Sequence, residues 1–410
     1  MLAIMKVGFV FLLVILLVRR KCPMGLAMAA GAAILGVWSR MPGLDILRAF
    51  VSASIGRTSL ELMGILILIM VLSSVLKETG QITRIVSSFK SFIAHARVLM
   101  PTLAALIGLL PMLGGALFSA PLVEGAGQGL GLSSQKKVLI NYWFRHIWEY
   151  SWPLYPGIVL AAELVKMDLA HLISIQLSLT IAAVFAGWIF VLRGIPSDLQ
   201  REVRQDRHLN IVKMLLDISP ILLVVFLVLV LRVHLILALA ISILAAFVIN
   251  KVNVKSALRM IGKSISWQMI LVVIGIMAFK SILETSGAIS STTGLLSEYN
   301  ISPLILIVTL PFLVGFLTGI TLGPVGIVWP LLLSFFLASN GLAYIVLAFA
   351  SGFAGVLFSP VHLCLILTKD YFRADMGKVY GGLVLPVGFV MLVAFGLFFA
   401  YGGSTGIPPS

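Results

Sequence analysis

Apolar runs recur along the whole chain and are separated by short loops rich in Lys and Arg. Runs of about 17 residues or more are long enough to cross roughly 30 Å of hydrocarbon as helix. In the first half they predict helices near 3–19, 24–40, 59–78 and 169–192. In the second half they predict helices near 213–231, 234–250, 267–286 and 379–401. Alternating strand patterns are absent, which argues against an outer-membrane barrel. Three stretches, 45–57, 82–97 and 288–300, mix apolar with polar or charged residues and read as helices or arms lying at the interface.

Four segments break the pattern. Residues 98–133 are apolar, yet their middle reads PMLGGALFSAP (111–121). Residues 303–338 are similar, with TGITLGP (318–324) at the tip. Both predict re-entrant hairpins, because broken backbone at membrane depth is tolerated only when sheltered by protein or facing a watery cavity. Helical patterns at 138–162 and 343–367 are interrupted by SWPLYPG (151–157) and FSPVH (358–362).

The breaks recur in the same order because the chain repeats itself. LMGILILIMVLSSVLKETG (62–80) aligns with MILVVIGIMAFKSILETSG (269–287), setting Ser74 beside Ser281, Leu76 beside Leu283 and Gly80 beside Gly287. The same offset of 207 residues sets Gly108 beside Gly315 and Pro153 beside Pro360. The expected fold is an all-α polytopic membrane protein of two repeats, with about ten transmembrane helices plus two re-entrant hairpins. Its parts are a first repeat (1–193), a cytoplasmic linker (194–212), a second repeat (213–402) and a tail (403–410). Five crossings per half make the second repeat inverted, an arrangement typical of secondary transporters with a site near mid-membrane.

Loop charges support this reading. With both termini outside, the cytoplasmic loops hold 21 Lys and Arg and the outer loops six, leaving Arg145 and Lys280 inside helices. The positive-inside rule then predicts a multi-pass protein of the inner, cytoplasmic membrane. The formal charge of +14 does not indicate a nucleic-acid partner, since the basic residues are spread over these loops. At 60% hydrophobic and 11% charged, the chain is far from soluble composition. Residues 7–18 resemble a signal peptide, but only Lys6 precedes them and no small-residue cleavage site follows, so a retained helix is expected. Cys22 and Cys364 have no partner spacing for a disulfide scaffold or a Cys-based metal site.

NYWFRHIWEYSWP (141–153) is the most charged stretch expected inside the membrane. Asn141, Arg145 and Glu149 are spaced i, i+4, i+8 and predict one helix face. Arg145 falls about 12 Å below the membrane surface. Two readings follow: Arg145 binds an anionic substrate through its planar fork, or Glu149 simply neutralises it within the helix. Gly114, Gly115 and Ser119 at the first tip, with Thr318, Gly319, Thr321 and Gly323 at the second, offer free backbone groups and hydroxyls for an ion. They equally permit close helix packing. The broken helices add Ser151, Tyr155, Ser359 and His362, and His362 or Glu149 could carry a coupling proton. Lys280 and Glu284 form an i,i+4 pair; Glu124 and Asp217 suit a cation or an interface; His146 has no assignable role from sequence.

No GxxxxGK[ST] loop, HExxH motif or Cys/His cluster is present, so an enzyme or resident cofactor is not expected. GGSTG (402–406) matches GxSxG but lacks the strand–turn–helix context. In its repeats, hairpins and interrupted helices the chain resembles the ion transporter superfamily, which includes citrate, dicarboxylate, gluconate and lactate permeases and arsenite carriers. LPMLGGALFSAPLVEGAG (110–127) and FSPVHLCLILTKDYF (358–372) resemble an uncharacterised prokaryotic branch. The Ser-Asn-Thr tip of the dicarboxylate and citrate carriers is absent. The resemblance implies a carrier for a small anion, coupled to Na+ or H+, working by an elevator motion and forming a homodimer. A cation/proton antiporter and an inorganic-oxyanion carrier are the alternatives.

Overall fold

The computed structural model describes residues 2–112, 114–196, 207–287 and 302–404. The expected arm at 288–300, most of the linker and the end of the tail lie outside the described residues. Every described element is helical. The first half contains α1 (Leu2–Arg19), α2 (Met24–Trp38), α3 (Gly43–Ile55), α4 (Arg57–Glu78), α5 (Gln81–Phe92), α6 (Ala96–Gly108), α7 (Gly115–Ala126), α8 (Ser134–His146), α9 (Pro156–Leu164) and α10 (Leu169–Ala186). The second contains α11 (Arg207–Val225), α12 (Leu235–Ile249), α13 (Val254–Ser264), α14 (Trp267–Thr285), α15 (Pro303–Thr318), α16 (Trp329–Phe336), α17 (Gly341–Leu357), α18 (Leu363–Phe372) and α19 (Met376–Ala400). Helix α4, α10 with its wider final turn, α11 likewise extended, α14 and α19 are long and apolar enough to cross a membrane. The protein is a helical, membrane-embedded one.

Helix ends show why the chain turns where it does. Lys21, Arg40, Lys166, Arg232, Lys251 and Arg373 are the non-glycine residues with positive φ among those described. Each follows a helical segment. At Arg40, for example, its own N–H donates to Val37 O and that of Met41 to Gly36 O, closing the end of α2. A left-handed L-residue costs about 1–2 kcal/mol, and a basic side chain at the negative end of the helix dipole offsets part of this. Aspartates cap the starts of α10 and α19: Asp168 accepts from His171 N and Asp375 from Lys378 N, each at 2.9 Å.

Within a bilayer, helices associate by close packing more than by exclusion of water. Helix α2 crosses α14 at Gly25 and Gly275, where a Cβ on Gly25 would lie 2.2 Å from the Leu271 backbone. Helix α6 meets α8 where Gly108 faces the Arg145 carbonyl, and α15 meets α17 where Gly315 faces the Gly352 carbonyl. A Cβ would come within 2.2 Å of the first carbonyl oxygen and 2.1 Å of the second. Neither crossing tolerates a side chain.

The amphipathic α5 is tied to α11 and α12 by polar contacts. Arg84 Nε donates to Asp217 Oδ1 at 2.8 Å, and Gln81 Nε2 donates to Asp217 O at 2.5 Å. Asn250 Nδ2 donates to Gln81 Oε1 at 2.6 Å. Asp217 is therefore the acceptor of an ion pair joining the two halves, the interface role among its two expected roles. Removing it leaves Arg84 half-exposed and able to hydrate, so Asp217→Ala is expected to cost about 1–2 kcal/mol. A lowered melting temperature in detergent with unchanged helix content is the measurement; an unchanged melt would mean the contact contributes nothing.

Candidate functional site

The two hairpin turns and the two helix breaks meet around one cavity of 260 Å³. The first hairpin is α6 and α7 joined through Pro111, Met112 and Gly114. The second is α15 joined to α16 through Gly319–Gly323 and a wide turn at Pro324–Val328. Gly319 takes φ +66, and a Cβ there would press within 2.8 Å of the His362 backbone nitrogen. Only glycine lets this turn pack so tightly on the second break.

Helix α8 carries the charged residues inward. Arg145 is 3% exposed. Its Nη1 donates to Cys364 Sγ at 3.0 Å, and its Nη2 to Met112 O on the first turn at 3.2 Å. Gly115 gives it room, since a Cβ there would lie 2.5 Å from Nη2. After His146 the helix tightens into a 3-10 turn over Ile147–Tyr150. Asn141 and Arg145 share a face as expected, reaching Thr368 and Cys364 on α18, whereas Glu149 lies in the 3-10 turn and is directed elsewhere. The Glu149 carboxylate accepts from the Thr321 hydroxyl of the second turn. It lies 3.8 Å from His146 Nε2 and makes no ion pair with Arg145. The intrahelical neutralisation expected as one reading of this pair is not formed.

Of the sequence candidates, Gly114, Arg145, Glu149, Tyr155, Gly319, Thr321 and His362 line the cavity. The others do not. Asn141 donates to Thr368 Oγ1 at 3.1 Å, behind α7. Ser119 bonds back to Gly115 O within α7. Ser151 pairs with Thr180 on α10 at 2.6 Å, and Thr318 bonds to Val314 O. Ser359 receives Val361 N at 3.3 Å, and Gly323 packs on Thr318. These groups hold the turns and breaks in shape. Outside the cavity, Lys280 lies 4.0 Å from Glu284, and Glu124 is held by Lys137 and Tyr371.

Sequence reasoning missed His146 and Cys364, both in the cavity wall. His146 Nδ1 lies 2.6 Å from Tyr142 O, and His362 Nδ1 lies 2.6 Å from Gly319 O. The two Nε2 atoms face each other at 3.1 Å, one from each half of the chain. With Cys364, these histidines bring their ligand atoms within 4.8 Å of one another. The set does not suit a metal ion. The Arg145 guanidinium is 3.0 Å from that sulfur and 3.4 Å from His146 Nε2, so a bound cation would meet fixed positive charge at near contact.

Fold and site together define a membrane-embedded helical protein built around a buried, charged cavity. Residues 3–400 match the family described as protein of unknown function (DUF401), and the chain belongs to that family. No curated protein matches it.

Proposed function

We propose that the protein is a secondary active transporter for a small anion of the carboxylate type, coupled to Na+ or H+, in which a core of the two hairpins, the two broken helices and the helices that follow them (α6–α10 and α15–α19) moves against a scaffold of α1, α2 and α4 with α11, α12 and α14, and the unit is a homodimer. The observation that carries this is Arg145: a buried guanidinium in a cavity wall with no carboxylate in ion-pair contact. Such a charge inside a membrane is costly, and an anion in the cavity would offset the cost.

The repeat reading gains support from the helix ends and crossings. Lys21 and Arg232, Arg40 and Lys251, and Lys166 and Arg373 are left-handed residues at matching places in the two halves. The carbonyls that face Gly108 and Gly315, those of Arg145 and Gly352, are themselves 207 residues apart. A second space of 490 Å³ shares Met70, Pro111 and Met112 with the cavity wall and is lined by Lys77, Glu78 and Lys263. The charge census assigns those basic residues to the inner face. Leu62, Leu66, Leu160, Ile276 and Leu322 pack around a separate space of only 10 Å³, which shares Pro156 and Leu322 with the cavity wall. A larger, charged space on the side assigned to the cytoplasm and a small apolar one elsewhere in the wall suit an inward-facing carrier.

Thermal unfolding of the purified protein against a panel of monocarboxylates, dicarboxylates and arsenite, with and without sodium, tests the reading. A true ligand at 100 times its dissociation constant should stabilise by about 2.7 kcal/mol. Stabilisation by cations alone would favour antiport, with Glu149 as the titrating group, and no response to any member would refute the anion reading. Orientation is tested separately: cysteines introduced at Ser133 and Ser339 should label from opposite faces, Ser133 from the cytoplasm. Labelling of both from one side would refute the inverted repeat.

A further inference from the structure

We infer that His146 and His362 share a single proton between their Nε2 atoms, forming a proton-binding site that bridges the two repeats. Hydrogen-bond accounting points to it. Tyr142 O and Gly319 O are backbone carbonyls and can only accept, so each Nδ1 at 2.6 Å must carry the hydrogen. In a neutral imidazole the other nitrogen is then bare. Two bare nitrogens facing at 3.1 Å would set lone pair against lone pair in a buried place. One added proton turns that contact into an N–H···N hydrogen bond. Both rings are buried, His146 at 2% exposed and His362 at 7%, and no water fits between nitrogens 3.1 Å apart to stand in for that proton.

The surrounding charges allow it. Tyr142 and Arg145 face the pair from α8, Glu149 from the 3-10 turn, Tyr155 from the first break and Cys364 from α18. Helix α15 and its Gly319–Gly323 turn contribute no titratable side chain. Arg145, 3.4 Å from His146 Nε2, opposes a second positive charge, whereas the Glu149 carboxylate at 3.8 Å favours it. With Arg145 positive and Glu149 negative, one proton on the pair leaves the cluster at +1. A monovalent anion would bring it to zero. On the transport reading, on which this last step rests, the proton held by the pair is therefore what gives the cavity the net charge that a monovalent anion can neutralise.

The proton itself is testable without any substrate. Substituting His95, His171, His208 and His234 leaves a protein whose only labelled imidazoles are the pair. Solid-state nitrogen-15 NMR of that protein in lipid bilayers at neutral pH should show both Nδ1 atoms protonated. It should also show a scalar coupling across one N–H···N bridge between the two rings. His146→Gln or His362→Gln should abolish the coupling. Should a variant fail to fold, the signals of the unmutated pair decide alone. Two uncoupled rings, or either ring protonated only at Nε2, would overturn the proposal. A shared proton in a protein that no anion stabilises would retain the site and refute the carrier; anion stabilisation with two uncoupled rings would do the reverse.

Discussion

Arg145→Met is expected to abolish anion-dependent stabilisation while leaving a folded protein. Truncating one side of a buried, hydrogen-bonded charge contact costs about 2–5 kcal/mol of binding, so the dissociation constant should rise at least about 30-fold. Folding should suffer much less. The substitution removes the contacts to Met112 O and Cys364 Sγ, but it also removes a buried charge, which relieves desolvation. Glu149 is not stranded by the change, because it is held by Thr321 of the other half. Arg145→Met combined with Glu149→Gln should therefore behave as the single variant: folded and unresponsive to anions. Arg145→Lys should recover only part of the affinity, since an ammonium lacks the planar fork. Full anion stabilisation in the double variant would remove Arg145 from the site and leave the hairpin turns to bind by backbone dipoles alone.

Much of this arrangement is legible in the sequence, for local reasons. Prolines and glycines within apolar runs place the two turns and two breaks to within a few residues. Pro111, Gly114 and Gly115 end one helix and open the next, and Pro360 stands in the Phe358–His362 break. What escapes local reading depends on partners far along the chain. The helix pattern aligns Glu149 with Arg145, but tertiary contact with Thr321, 172 residues away, accompanies a 3-10 turn that moves the carboxylate to another neighbour. His146 carries no signal of its own, because its partner His362 lies 216 residues on. A search for polar residues flanking both breaks would have raised His146, since His362 itself was legible beside Pro360. Ser119, Ser151 and Ser359 look like ligands by type, yet their hydroxyls are used within the frame. Composition cannot separate a hydroxyl that binds cargo from one that secures a bend.

Fixing the second hairpin to the scaffold should stop transport and spare binding. Leu322 of the second turn, Leu66 of α4 and Val273 of α14 line the small apolar space beside the cavity, together with Leu160 of α9. The contact around Leu322 is lined by apolar side chains, so parting it breaks no side-chain hydrogen bond there. By contrast, α6 and α8, and α15 and α17, meet backbone to backbone at Gly108 and Gly315 and should move as one body. Cysteines at Leu66 and Leu322, oxidised to a disulfide, would join the two bodies in this arrangement. Uptake into proteoliposomes should fall to background on oxidation and return on reduction. Stabilisation by the transported anion should persist throughout, because Arg145 is held by Met112 and Cys364, neither of which belongs to the crosslinked elements. Loss of binding together with transport would mean that the crosslink had distorted the site. Undiminished transport in the oxidised protein would show that hairpin and scaffold need not separate, and the elevator motion would have to be abandoned for a smaller gate at the turns.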